Sequence, residues 1–147
     1  MRALILSDNH HRKLEIDTTK YDYVFHAGDH GQCGSYLKKL GAIYVRGNCD
    51  IDGAKEEIRK IDGIKIFLTH GDYYNVKMDY NRLIYKAMSL ECKLVIFGHT
   101  HHQSYFIEEG ITFINPGAYK DSCYAEIIDN DIIFYNNGSK VVKKLSM

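Results

Sequence analysis

Residues 3–10, Ala3-Leu4-Ile5-Leu6-Ser7-Asp8-Asn9-His10, contain the pattern on which the fold reading turns. Four consecutive apolar residues read as a short strand buried on both faces, and the chain then turns at once into polar, metal-competent side chains. The same phrase recurs. Tyr23–His26 runs into Ala27-Gly28-Asp29, Ile43–Val45 into Arg46-Gly47-Asn48, Ile64–Thr69 into His70-Gly71, and Leu94–Phe97 into Gly98-His99-Thr100-His101. Five strands thus end in Asp, Asn or His. In open α/β sheets such carboxyl-terminal ends converge on a ligand crevice.

Between these strands, Tyr36, Leu37 and Leu40 have helical spacing, and Tyr80, Leu83, Ile84, Ala87 and Met88 form one apolar helical face. Glu57–Ile61 and Ile64–Thr69, joined by Asp62-Gly63, read as a hairpin. From Ser104 onward the chain reads as a β-meander, with strands at Ser104–Glu108, Ile111–Ile114, Cys123–Ile128, Asp131–Tyr135 and Lys140–Leu145. Early parallel strands with helical crossovers and late antiparallel ones predict two packed sheets with helices outside. The 147 residues show no linker or repeat and are read as a single domain, 1–147.

Composition narrows the function classes. Nineteen Lys+Arg balance nineteen Asp+Glu, and no dense basic cluster occurs, which argues against a nucleic-acid backbone or an anionic membrane as partner. No apolar run approaches the length of a bilayer span, and the N-terminus lacks a signal-peptide pattern. Cys33, Cys49, Cys92 and Cys123 are scattered without close pairs, so reduced thiols in a cytoplasmic protein are expected rather than disulfides or a four-cysteine zinc site.

The strand ends together supply Asp8, His10, Asp29, Asn48, His70, His99 and His101. Imidazoles, carboxylates and an amide oxygen suit Mn²⁺, Fe²⁺, Ni²⁺, Co²⁺ or Zn²⁺. Seven donors exceed one tetrahedral zinc site and suit two ions of higher coordination number. A single carboxylate, Asp29, is placed to bridge two ions about 3.5–4 Å apart. The chemistry expected of such a pair is in-line attack of a bridging hydroxide on phosphorus.

The ordered set D-x-H, G-D, G-N-x-D, H-G and G-H-x-H resembles the calcineurin-like metallophosphoesterase superfamily. Asn-Cys-Asp at 48–50, Leu68-Thr69-His70-Gly71 and Asn115-Pro116-Gly117-Ala118 are similar to its small single-domain phosphodiesterase branch. The resemblance implies a four-layer α/β/β/α sandwich of two mixed sheets flanked by helices. It implies one ion on Asp8, His10 and His101, another on Asn48, His70 and His99, and Asp29 between them, with manganese the usual activator. Asn48, Asp29 and His99 are the residues expected to take part in catalysis. The substrate implied is a small phosphodiester, and a homodimer or tetramer is compatible with the family. Some proteins of this fold serve as binding modules, and monoester or pyrophosphate hydrolysis would use the same metals.

Two departures stand out. Larger members carry a histidine that protonates the leaving group where this chain has Cys49. A neutral thiol brings no positive charge, so a good leaving group or an acid from His11, His30 or His102 is expected. His70-Gly71-Asp72 replaces the branch's frequent H-G-H, which bears on substrate contacts near Asp72. His26 is read as buried and structural, His11 as solvated or supporting a ligand, and His30 and His102 as mainly solvent-exposed. Tyr73, Tyr74 and Tyr80 are read as packing residues.

Overall fold

The computed structural model describes residues 1–31 and 34–145 of the chain. The elements are β1 (Arg2–Leu6), β2 (Tyr23–His26), α1 (Gly34–Lys39), β3 (Ile43–Tyr44), β4 (Glu56–Ile61), β5 (Ile64–Thr69), α2 (Asn81–Ser89), β6 (Leu94–Ile96), β7 (Ser104–Glu108), β8 (Ile111–Asn115), β9 (Cys123–Ile128), β10 (Asp131–Asn136) and β11 (Ser139–Lys144). They form a six-stranded sheet, ordered β11-β10-β9-β1-β2-β3, and a five-stranded sheet, ordered β4-β5-β6-β8-β7. Both are mixed. β1–β2–β3 run parallel in the first sheet and β5–β6–β8 in the second.

Alternation along each strand builds the layers. Ala3 and Ile5 face inward and join Phe25, Ile66, Leu68, Leu94, Ile96, Ile114, Ala125 and Ile127 in the core between the sheets. Leu4 and Leu6 face outward and pack with Val24 and with Leu37 of α1. On the far side Phe67, Val95 and Phe113 meet Leu83 and Ala87 of α2. Strands buried on both faces need continuous apolar runs, which is why these stretches lack polar alternation. The result is the α/β/β/α sandwich. Asp79 Oδ1 accepts the Asn81 N–H at 3.0 Å just ahead of α2, and Glu91, in the left-handed region at φ 55°, ends the helical path.

The long meander is the point of difference from the sequence reading. β7 and β8 form a hairpin in the second sheet, whereas β9, β10 and β11 cross to the first, where β9 pairs antiparallel with β1. Five successive apolar-rich strands look alike in sequence, and only the core they fill divides them. The β1–β2 connection also differs, passing through a loop and a 3-10 turn at Thr18–Lys20 instead of an α-helix. Among the described residues no helix is long and apolar enough to cross a membrane. Cys49, Cys92 and Cys123 are free thiols, and Cys33 lies outside the described residues.

Candidate metal centre

β1, β2, β3, β5 and β6 deliver their C-terminal ends to one rim, where the two sheets are cross-tied. The His70 ring donates from Nδ1 across the sheets to the Ala27 carbonyl at 2.7 Å, while within the second sheet Gly98 N–H donates to the His70 carbonyl at 3.0 Å. His99 N–H donates to Asp8 Oδ2 at 3.1 Å. The sheets approach closely here. A Cβ on Gly98 would stand 2.1 Å from Ser7 Oγ and 2.7 Å from Asp8 Oδ2, so only glycine fits.

All seven strand-end residues meet at this rim. Asp8, His10, Asp29 and His101 each offer one donor atom within 4.8 Å of the others. His10 Nε2 lies 3.3 Å from His101 Nε2, which lies 3.3 Å from Asp8 Oδ1. On the other side His70 Nε2 is 3.0 Å from Asn48 Oδ1 and 3.2 Å from His99 Nδ1. Asp29 Oδ2 touches both groups, 3.3 Å from His70 Nε2 and 3.9 Å from His10 Nε2.

The chemistry of these atoms is one-sided. With its Nδ1 proton on Ala27, a neutral His70 turns a lone pair toward an amide oxygen, a carboxylate and another imidazole. Asp8 is fully buried, and its Oδ1 has no hydrogen-bond partner. Buried acceptors crowded together without donors are costly unless a cation sits among them. Donors bound at about 2.1 Å and 90° apart lie about 3 Å from one another, close to the separations seen, so the set fits divalent ions.

The electrostatics point the same way. Burial, then the neighbouring His70 and Lys77, keep His99 below its ordinary pKa, and burial foremost does the same for His101. Both present neutral nitrogens. Burial works against the His70 proton, yet Asp29, Asp8 and the Ala27 carbonyl outweigh it and raise the pKa. Burial likewise opposes ionisation of Asp29, but His70, the Cys49 amide and His10 hold it below the usual carboxylate range. The backbone is also unusual: Asp8, His10, Asp29, His99 and His101 all have positive φ, between 52° and 72°. Non-glycine residues rarely adopt this conformation, and its clustering at one rim is typical of functional sites.

Several supporting residues escaped the sequence reading. Ser7 Oγ donates to Asp8 Oδ2 at 2.5 Å. Asp50 accepts backbone N–H groups from His30 (3.2 Å), Gly31 (3.1 Å) and Gly47 (2.8 Å). It clamps the loop bearing Asp29 to the loop bearing Asn48. The Asn115 amide donates to Gly98 O and Thr100 Oγ1, fixing the His99–His101 loop, and its Oδ1 accepts from Gly117. Only the turn residues Asn115-Pro116-Gly117 drew notice in the sequence, and nothing in a linear pattern marks an amide as a brace.

The remaining histidines divide. His26 is buried as expected: its Nδ1 accepts from Gly28 N–H at 3.1 Å and its Nε2 meets Asn9 Oδ1 at 2.7 Å. His11 and His102 are exposed. His30 corrects the expectation of solvent exposure. It is 1% exposed, donates to the Asp52 carbonyl at 3.0 Å and packs edge-on against Tyr44, leaving no route to a leaving group. Cys49 is exposed beside the cluster, and burial together with Asp29, Asp50 and Asp8 pushes its thiol pKa up, so it stays protonated and uncharged. Tyr74 packs edge-on against Phe67 and Tyr80 stacks on Phe106, as packing residues do, whereas Tyr73 is half-exposed with Lys55 over its ring.

The profile described as calcineurin-like phosphoesterase superfamily domain matches residues 1–127. A protein of Mycoplasma pneumoniae named probable metallophosphoesterase is 33% identical over 124 residues, spanning 80% of this chain and 78% of its own. Among solved structures, a conserved Streptococcus pneumoniae protein described as a predicted phosphoesterase superposes with a TM-score of 0.82, at 25% identity and 97% coverage of both chains. Vps29 of Entamoeba histolytica, solved in complex with Zn²⁺, shares the fold at a TM-score of 0.73, with 24% identity and 98% coverage of each chain.

Proposed function

We propose that this chain, which belongs to the calcineurin-like phosphoesterase superfamily, is a phosphodiesterase that works with two divalent metal ions. Asp8, His10 and His101 would hold one ion, Asn48, His70 and His99 the other, and Asp29 both. When bound, the pair supplies a nucleophilic hydroxide at neutral pH and offsets charge on the phosphoryl oxygens. The observation that carries the reading is the buried, partnerless Asp8 Oδ1 within a ring of acceptor atoms 3.0–3.9 Å apart.

The chain's own residues set the rest. Ser7 and the His99 amide saturate Asp8 Oδ2, so Oδ1 is the oxygen that would be left to hold an ion. The Cys49 amide does the same for Asp29 Oδ1, freeing Oδ2 to span both halves. Asn48 is exposed and His99 half-buried, so substrate approaches on their side. Cys49 adds no positive charge there, which favours esters whose leaving alcohol departs readily. Manganese is the proposed activator, and the Zn²⁺ of the Entamoeba Vps29 structure supports a site of borderline hardness. In this reading the protein acts in the cytoplasm on a small diester.

Chelation followed by reloading with Mn²⁺ should bind two ions per chain by calorimetry and hydrolyse bis(nitrophenyl) phosphate faster than nitrophenyl phosphate. Faster monoester turnover would move the assignment to a phosphomonoesterase with the same centre. A second reading is a protein-binding module: Vps29 of Chaetomium thermophilum, which shares the fold, is solved with a cyclic peptide bound. Two bound ions with neither ester hydrolysed would favour that module.

A further inference from the structure

Next to the His99–His101 loop lies a cavity of about 450 Å³, lined by Val76, Lys77, Tyr80, Thr100 and His102. Its size falls in the range that holds a small organic group. One wall, Val76 and the Tyr80 ring, is apolar, and Tyr80 is itself braced against Phe97 and Phe106. Thr100 is engaged by Asn115 and by the His102 backbone, which holds the lining loop in place. Among the described residues no carboxylate lines the cavity.

The cations around the rim differ in what they already hold. Arg12 is committed to the Tyr119 and Lys120 carbonyls and to Ser122 Oγ. Lys120 pairs with Asp121 at 3.3 Å. Lys77 is exposed at the edge of the cavity and forms no ion pair among the described residues. An uncompensated ammonium beside a phosphate-competent centre, at the edge of a cavity, recognises a second anion.

We propose that this cavity receives the second ester arm of the substrate and that Lys77 binds an anionic group, carboxylate or phosphate, on that arm. The substrate is then a small phosphodiester carrying a further negative charge beyond the scissile phosphate. The inference rests on the phosphoesterase reading for the word substrate, and on the cavity and its charge for the subsite.

Two arms separate these. In the first, the Mn²⁺-loaded protein is titrated calorimetrically with phosphonoacetate and with ethylphosphonate. The wild type should bind the carboxylated anion about tenfold more tightly, the ratio expected for one charge-assisted hydrogen bond. Lys77→Met should bring that ratio close to one, and Lys77→Arg should keep it. In the second, kcat/KM is compared for nitrophenyl phosphodiesters bearing a 2-carboxyethyl or an ethyl second ester, with the preference expected in KM. A Lys77-dependent binding ratio without hydrolysis of either ester would remove the enzyme reading and leave the subsite standing. Equal binding of the two phosphonates by the wild type, or a ratio unchanged in Lys77→Met, would overturn the subsite whatever the hydrolysis shows.

Discussion

Asp62, Glu109 and Asn137 sit at hairpin ends with φ of 51°, 53° and 49°, while Asp8, His10, Asp29, His99 and His101 hold the same left-handed backbone at the rim. The hairpin residues are each followed by a glycine that is also at positive φ, Gly63, Gly110 and Gly138, and they join strands adjacent in sequence. Such two-residue turns require that torsion, because it matches the twist of the strands they connect. At the rim no hairpin exists. There the left-handed residues are held by bonds between loops distant in sequence, Asp8 N–H to the Gly28 carbonyl, His10 N–H to the Asp29 carbonyl and His99 N–H to Asp8 Oδ2, and their donor atoms turn inward. One torsion therefore has a local cause in one region and a tertiary cause in the other.

Breaking the rim should cost function far more than breaking a hairpin. Asp29→Asn keeps the shape and the Cys49 hydrogen bond but removes the charge common to both halves of the donor set. Turnover of the diester by Mn²⁺-loaded protein should fall by at least about a thousandfold, with metal binding weakened at both sites. Full activity in the variant would refute the bridging role.

A pH titration should sharpen the comparison from the buried side. His26 sits just below the rim, and burial foremost, with His30 and His70 adding repulsion, drives its pKa down to about 3. The unfolded chain binds that proton near pH 6.5, so between about pH 6.5 and 3 the unfolded state holds more protons and stability falls as pH falls. The loss should reach a few kcal/mol in urea midpoints. His26→Gln should flatten this slope, and an unaltered slope would place the acid sensitivity elsewhere.

How much of this was legible depends on the range of the cause. The strand ends that collect Asp8, Asp29, Asn48, His70 and His99 are local events, each a short apolar run followed by a polar turn, and all of them appear in the sequence at their observed places. The helix over Leu83–Ala87 was visible for the same reason. The division of β7–β11 between two sheets was not, because it depends on which core each strand fills. His30 looked exposed because it follows Asp29. Its burial comes from Tyr44 and from the 50–52 segment, which are both far from it along the chain.

Asp50 makes that long-range component measurable. Its side chain is fully buried, and its three backbone donors come from two separate loops. Asp50→Asn keeps the size but replaces a charged acceptor by an amide, half of which is a donor facing N–H groups. Denaturant unfolding should show a loss of about 2 kcal/mol, and Mn²⁺ affinity should drop with it because Asp29 and Asn48 lose their common anchor. A stability loss with metal affinity untouched would restrict Asp50 to a purely structural role.

The smallest effects test the comparison most directly, because they should differ in sign. Left-handed backbone costs a non-glycine residue roughly 1 kcal/mol. His101→Gly relieves that strain at φ 65° and removes one lone pair from the crowded rim. Without metal it should therefore raise stability by about 1 kcal/mol. In excess Mn²⁺ the order should reverse, since the wild type gains binding free energy that the variant has lost. Glu109→Asn, at φ 53° in the β7–β8 turn, should add about 0.5 kcal/mol with or without Mn²⁺. Thermal melts of both variants at two metal concentrations would read this. A His101→Gly protein whose stability relative to wild type ignores Mn²⁺ would mean that the rim torsions, like the hairpin ones, serve the chain path alone.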